Sequence, residues 1–284
     1  MHREAKTFIL NYLLCNSKAF HLDKLFQIDK ENKGAADDIL LCEIGDTYTC
    51  IAYYNEVSKQ IDGLTYYTFP SQQMNESIKQ IISSNEGSNK KKIVCSSFAD
   101  AVLVPYSLYN EETKQSFFID AQNSEVLQDK IAEWQIVNTY TLPKSIHSLF
   151  TENETIFLHS YTPTLKVYNG FVAENQVSIN FTPHQFSVLI KKEGQLQLAQ
   201  TYSYTMPLDV VYYLLSIYEQ FNLSKTETYV LLSGLIEEDS ALYKELNNYF
   251  LNLHFNASAA GSLQNDTYPP HYFTSLFNLA ACVS

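Results

Sequence analysis

Ile39-Leu40-Leu41-Cys42-Glu43-Ile44-Gly45-Asp46-Thr47-Tyr48 is an apolar run of strand length, broken by Gly45-Asp46 and followed by a second strand-like stretch. Residues 47–54 are rich in aromatic and β-branched side chains, which suit a pleated surface. Asp62-Gly63 is a turn pair, and residues 64–69 form a third strand. Pro70-Ser71 then opens a helix, with Ser71 as its N-cap. Met74, Ile78, Ile81 and Ile82 recur at helical spacing on one face. Lys92-Ile93-Val94-Cys95 is the next strand.

The same order returns at residues 176–221. Residues 176–181 are a strand, broken at Thr182-Pro183-His184. Residues 186–191 and 196–204 are two more, joined by the hairpin signal Glu193-Gly194. Pro207 and Asp209 fall in the first turn of a helix, where both are favoured. That helix is apolar on two sides, which predicts burial. Residues 228–232 are a strand, and Ser233-Gly234 turns the chain toward a helix capped near Asp239 or Ser240. The halves share a pattern and no close residue-by-residue repeat. Together they predict an α/β fold made of two mixed-sheet domains with flanking helices. Residues 1–38 read as a leader, 39–150 as the first half and 151–284 as the second. Residues 101–120 read as strand or helix, 124–134 as a helix, 135–141 as a strand, 257–270 as a loop and 271–282 as a closing helix.

The chain of 284 residues carries a formal charge of −12, 45% hydrophobic residues, 21 Tyr, 17 Phe and only 8 Gly. This composition suits a globular chain with a real core. Few glycines leave few loops open to close phosphate approach. The negative charge argues against nucleic acid and anionic membrane surfaces as partners. Lys90-Lys91-Lys92 reads as a solvated turn. The cysteines, Cys15, Cys42, Cys50, Cys95 and Cys282, form no CxxC pair, so neither a metal site nor a redox motif is expected. Free cysteines in strands fit a reducing cytoplasm. No run reaches a membrane span of roughly 20 apolar residues. Residues 8–15 are apolar and follow Arg3 and Lys6, which raises a lipoprotein signal as an alternative, but Glu4 lies in the basic region and no small residue precedes Cys15, so the reading is an amphipathic N-terminal helix.

The duplicated order resembles the actin-like ATPase superfamily with its ribonuclease H-like halves. The resemblance implies that the turn between the first two strands of each half wraps phosphates. It also implies a carboxylate, at the end of the first strand, that acts through metal-bound water. Glu43, Gly45, Asp46 and Thr47 stand at the first turn. Glu43 replaces the family's Asp, and Asp46 replaces a hydroxyl residue. At the second turn Asn180 replaces the Asp and Thr182 the Gly, and Pro183 removes an N–H donor. His184 is a candidate anion contact. Ser233-Gly234 resembles the family's adenosine turn with one of its two glycines. Leu103-Val104-Pro105, residues 194–215, Leu232-Ser233-Gly234, Asp239-Ser240 and the ending from His271-Tyr272-Phe273 to Cys282 resemble an uncharacterised bacterial family assigned this fold.

Walker A, GxSxG, HExxH and GxGxxG motifs are absent. The expectation is therefore a binding or scaffold protein with a degenerate nucleotide site, a protein partner, no catalytic residue and no cofactor. The rival is a weak Mg-ATP-dependent ATPase or kinase using Glu43. A ribonuclease H-like nuclease would need more clustered carboxylates than Glu43 and Asp46.

Overall fold

The computed structural model describes residues 21–29, 38–85, 91–119, 121–150, 154–168, 173–256, 263 and 267–282. The chain runs through β1 (Asp23–Asp29), β2 (Ile39–Ile44), β3 (Tyr48–Asn55), β4 (Gln60–Thr68), α1 (Met74–Asn85) and β5 (Lys91–Ser96). An insertion follows: β6 (Ala101–Pro105), β7 (Ser124–Ile131), β8 (Ile136–Pro143) and the short α2 (Lys144–His147). β9 (Glu154–His159) and α3 (Tyr161–Tyr168) lead onward. Then come β10 (Gln176–Phe181), β11 (Gln185–Lys192), β12 (Gln195–Ser203), α4 (Pro207–Gln220), β13 (Tyr229–Gly234), α5 (Ala241–Asn247), β14 (Leu253–Phe255) and α6 (Thr274–Ala281).

The first sheet has the order β1-β4-β3-β2-β5-β9 and the second β12-β11-β10-β13-β14. Counted within each half, both read third-second-first-fourth-fifth, with β1 added at one edge of the first. The first three strands pair antiparallel, and the fourth and fifth run parallel to the first. Parallel pairs need crossovers, and α1 and α4 lie in those that join the first three strands of each half to the fourth. β6, β8 and β7 form a separate three-stranded sheet.

β2 is buried along its whole length because both faces of the first sheet are covered. Leu40, Cys42 and Ile44 pack with Ile78, Ile81 and Ile82 of α1. Leu41 packs on the opposite face with Leu276, Phe277 and Leu279 of α6. In the second sheet Val177, Ile179, Val188 and Ile190 meet Val210, Leu214 and Ile217 of α4 and Leu246 of α5. The hairpin signal is realised: Glu193 and Gly194 both take left-handed φ, 52° and 75°, as a tight primed turn requires. Ser240 caps α5 by accepting from the Tyr243 amide.

Several local expectations are corrected. Residues 124–131 form β7, not a helix, because they pair with β8 over their full length, from Ser124↔Pro143 to Ile131↔Ile136; this tertiary pairing overrides local propensity. Asp62-Gly63 lies inside β4. The turn falls earlier, where the Asn55 side chain accepts from the Val57 and Ser58 amides and Lys59 takes φ 56°. Ser71 does not cap α1; a 3-10 turn of residues Ser71–Gln73 precedes the helix, entered from Pro70. Lys91 and Lys92 open β5, with Lys92 buried, instead of forming a solvated turn; Lys90 lies outside the described residues. The leader contributes β1 to the first sheet. β9, placed by sequence in the second half, pairs parallel with β5 in the first. Residues 1–20 and most of 257–270 lie outside the described residues.

Candidate functional site

Glu43 is the second-last residue of β2 and is 4% exposed. Its Oε1 accepts from the Tyr48 hydroxyl at 2.7 Å and from Ser97 Oγ at 3.0 Å. Its Oε2 accepts from Ser275 Oγ at 2.6 Å. The carboxylate is thus held by three hydroxyls, one of them from α6. Burial and the neighbouring Glu43 charge push the Tyr48 hydroxyl well above its ordinary pKa, so it stays a donor. Gly45 closes the turn, its amide donating to the Tyr48 carbonyl at 3.0 Å. A Cβ here would lie 2.3 Å from the Tyr48 ring. The glycine makes room for that ring, which stacks on Tyr66 with centroids 5.2 Å apart. The Thr47 carbonyl accepts from the Phe69 amide.

At the second turn the Thr182 amide and hydroxyl both donate to the Gln185 carbonyl, at 2.8 and 3.0 Å. Tyr204 closes it by donating its hydroxyl to the Thr182 carbonyl. The Ser233 hydroxyl lies within hydrogen-bond distance of the Ile179 carbonyl and Asn180 Oδ1, at 3.0 and 3.1 Å. Gly234 takes φ +76°, and a Cβ there would sit 2.1 Å from the Phe181 carbonyl oxygen. This glycine lets β13 approach the backbone of β10.

The two turns meet. Gln185 Nε2 donates to Asp46 Oδ2 at 3.0 Å, across 139 residues of sequence. Burial pushes the Asp46 carboxyl up, Gln185 pulls it down, and the charge of Asp100 adds to the rise. Behind this bond, Tyr48, Ser97, Asn180, Thr182 and Gln185 line a gap of about 20 Å³, room for roughly one water molecule. Ser233 lines a different cavity of about 30 Å³, with Ser178, Asn180 and three polar residues of α6, Thr274, Ser275 and Asn278. On the outer side, Asp46, Thr47, Ser71, His184, Gln185 and Tyr204 border an open pocket of about 270 Å³. Of the residues expected to contact a nucleotide, Asp46, Thr47 and His184 share that pocket. Thr182 borders the small gap, and Glu43, Gly45 and Gly234 are taken up by packing.

Sequence reasoning missed a second polar cluster, at the crossing between halves. Asp129 of β7 accepts from Thr162 Oγ1 at 2.6 Å, the His159 amide at 2.8 Å and the Tyr140 hydroxyl at 3.3 Å. Burial raises its carboxyl to about 6. His159 is fully buried: Nε2 faces the Phe98 carbonyl at 2.9 Å and Nδ1 accepts from the Tyr161 amide at 3.2 Å. Burial lowers it to about 4, so the ring is neutral. Among the described residues no cluster of His, Cys, Asp and Glu suits a metal ion, and no described helix is long and apolar enough to cross a membrane.

The sequence model of a family described as "Protein of unknown function (DUF3822)" matches residues 27–253. No curated protein matches the sequence. A Bacteroides thetaiotaomicron protein, described as having an actin-like ATPase fold and unknown function, superposes with a TM-score of 0.73 at 16% identity, covering 87% of this chain and 96% of that one. A PilM–PilN type IV pilus biogenesis complex contains a chain that superposes with a TM-score of 0.61 at 10% identity, covering 87% and 99%. These likenesses show the fold.

Proposed function

The chain belongs to the DUF3822 family, and on that premise we propose that it is a binding or scaffold protein in which an actin-like ATPase fold no longer serves nucleotide chemistry. The observation that carries this reading is the contact between the two turns, Asp46 to Gln185, backed by the engagement of Glu43 with three hydroxyls. In-line phosphoryl transfer needs positioned charge and metal. Asn180 offers no anionic anchor, and Glu43 is already held. A half-buried Asp46 beside a triphosphate adds repulsion. The free, buried Cys42, Cys50 and Cys95 support a reducing cytoplasm. The description of PilM in complex with PilN supports a protein partner.

The test is thermal melting of the full chain with and without millimolar Mg-ATP and Mg-ADP. Saturation at 100 times the dissociation constant would stabilise the fold by roughly 2.7 kcal/mol. No shift is expected with either nucleotide. An upward shift that disappears in Glu43→Ala would overturn the reading and restore the ATPase or kinase.

A further inference from the structure

β6 is the terminal strand of the three-stranded sheet and β12 the terminal strand of the second sheet. Both edges border one groove of about 410 Å³. Its walls are Ala101, Leu103, Trp134 and Ile136 on one side and Leu196 and Leu198 on the other. Trp134 is fixed, its indole N–H donating to the Leu165 carbonyl at 3.0 Å. Terminal strands present unpaired N–H and C=O groups that template the addition of another strand. Pro105 ends β6 without a donor, whereas the nine residues of β12 contain no proline.

The groove lining carries no charged side chain. Each neighbouring stretch adds a carboxylate: Asp100 before Ala101, Glu133 before Trp134 and Glu193 in the turn before β12, all three exposed. No Lys or Arg adjoins the lining residues in sequence. The lining mixes these apolar side chains with Gln195, Gln197 and Gln200, and the three exposed carboxylates lie close to it in sequence; together they favour a segment with apolar residues and basic ends.

We propose that this groove takes an extended segment of a partner protein. The segment adds as a strand to the edge of β12 that no described strand pairs, places alternate apolar side chains against Leu103, Trp134 and Ile136, and sets Lys or Arg beside Asp100, Glu133 and Glu193. This mode obtains affinity from main-chain pairing and specificity from every second side chain. The inference rests on the binding-protein reading and names the chemistry of the partner.

The experiment is selection of random peptides, displayed at about twelve residues to span a strand the length of β12, against the full chain. The selected peptides alternate apolar residues and carry Lys or Arg at the ends. A synthetic copy of the strongest one slows hydrogen exchange at the amides of residues 195–203. Glu133→Lys with Glu193→Lys, two surface changes that leave the core intact, weakens that peptide about tenfold. Failure to select any peptide, a selected set without the alternating basic-ended pattern, or binding that survives the charge reversal each overturns the groove. Nucleotide-dependent melting overturns the scaffold reading alone, so the two failures are told apart.

Discussion

On β2, Leu41 and Glu43 face α6; on the corresponding strand β10, Ser178 and Asn180 do. α6 matches this difference residue by residue. Leu276, Phe277 and Leu279 enter the apolar core of the first sheet, and Thr274, Ser275 and Asn278 line the small polar cavity against the second. Two copies of one strand order have therefore acquired unlike inner surfaces, and one amphipathic helix holds both. Duplication fixes topology, and the facing side chains are free to diverge once they are packed by the chain itself.

The two turn glycines give the sharpest test of that comparison. Gly234→Ala drives a Cβ into the backbone of Phe181 at a positive φ; neither backbone can move without breaking the β10–β13 pairing. The expected loss is about 4 kcal/mol, combining strain and overpacking, with no rescue from a second side chain. Gly45→Ala meets a side chain instead, the Tyr48 ring. Its cost is about 3 kcal/mol, and Gly45→Ala with Tyr48→Val falls well short of the sum of the single losses. Urea denaturation of the four variants reads both outcomes, and equal, additive losses at the two glycines would break the distinction.

The crossing between halves carries the next largest effect. Asp129 is raised from 3.8 to about 6 and His159 lowered from 6.5 to about 4. A raised carboxyl contributes stability that is full below pH 3.8 and lost as pH rises through about 6. A lowered imidazole contributes stability that is full above pH 6.5 and lost as pH falls through about 4. Each effect is on the order of 3 kcal/mol. They oppose each other across the same window, so the wild-type pair is nearly flat there. Asp129→Asn leaves His159 alone, and its stability relative to wild type declines as pH drops from 6.5 to 4. His159→Gln leaves Asp129 alone, and its relative stability climbs over that interval. Parallel pH profiles for the two variants would show that neither group titrates as its burial dictates.

Much of this was legible from residues. β2, β3, β10 and the Glu193-Gly194 hairpin declare themselves through apolar runs and left-handed turn positions. β7 did not, because Ser124-Glu125-Val126-Leu127-Gln128 is locally neutral and becomes a strand only against β8. β9 falls in the stretch assigned to the second half, and its place in the first sheet depends on β5, about sixty residues earlier and beyond any local period. At the site, Gly45 and Gly234 are visible as glycines. What each one accommodates, a tyrosine ring and a neighbouring strand, is a tertiary fact. Ser275 has no sequence signal at all for its bond to Glu43, 232 residues away.

The first-strand polar residues should separate next. Glu43→Gln replaces an acceptor for three hydroxyls with a group that accepts on one side only, at a cost of about 2 kcal/mol. Asn180→Ala removes one partner of Ser233, which keeps the Ile179 carbonyl, and costs about 1 kcal/mol. Equal losses in urea denaturation would mean that the Glu43 cluster adds nothing beyond a single hydrogen bond.

The smallest effect belongs to the contact between turns, and it decides whether that contact is a lock or only a neighbour. Gln185→Ala removes the donor to Asp46, a partly exposed pair whose loss costs about 0.5–1 kcal/mol. The second turn keeps its own bonds through the Gln185 carbonyl, which Thr182 uses and alanine retains. Global stability therefore barely moves, while Asp46 loses the hydrogen bond that favours its ionised form. Asp46→Asn tests the other side. Its amide oxygen still accepts from Gln185, and the repulsion from Asp100 is gone. Because the Asp46 carboxyl is raised, its ionisation disfavours the folded state above the folded pKa, so Asn is neutral to slightly stabilising at pH 7 and the difference vanishes below pH 3.8. A lock predicts faster hydrogen exchange at both turns in Gln185→Ala and none in Asp46→Asn. Equal exchange in all three proteins would leave the turns as independent hairpins that happen to touch.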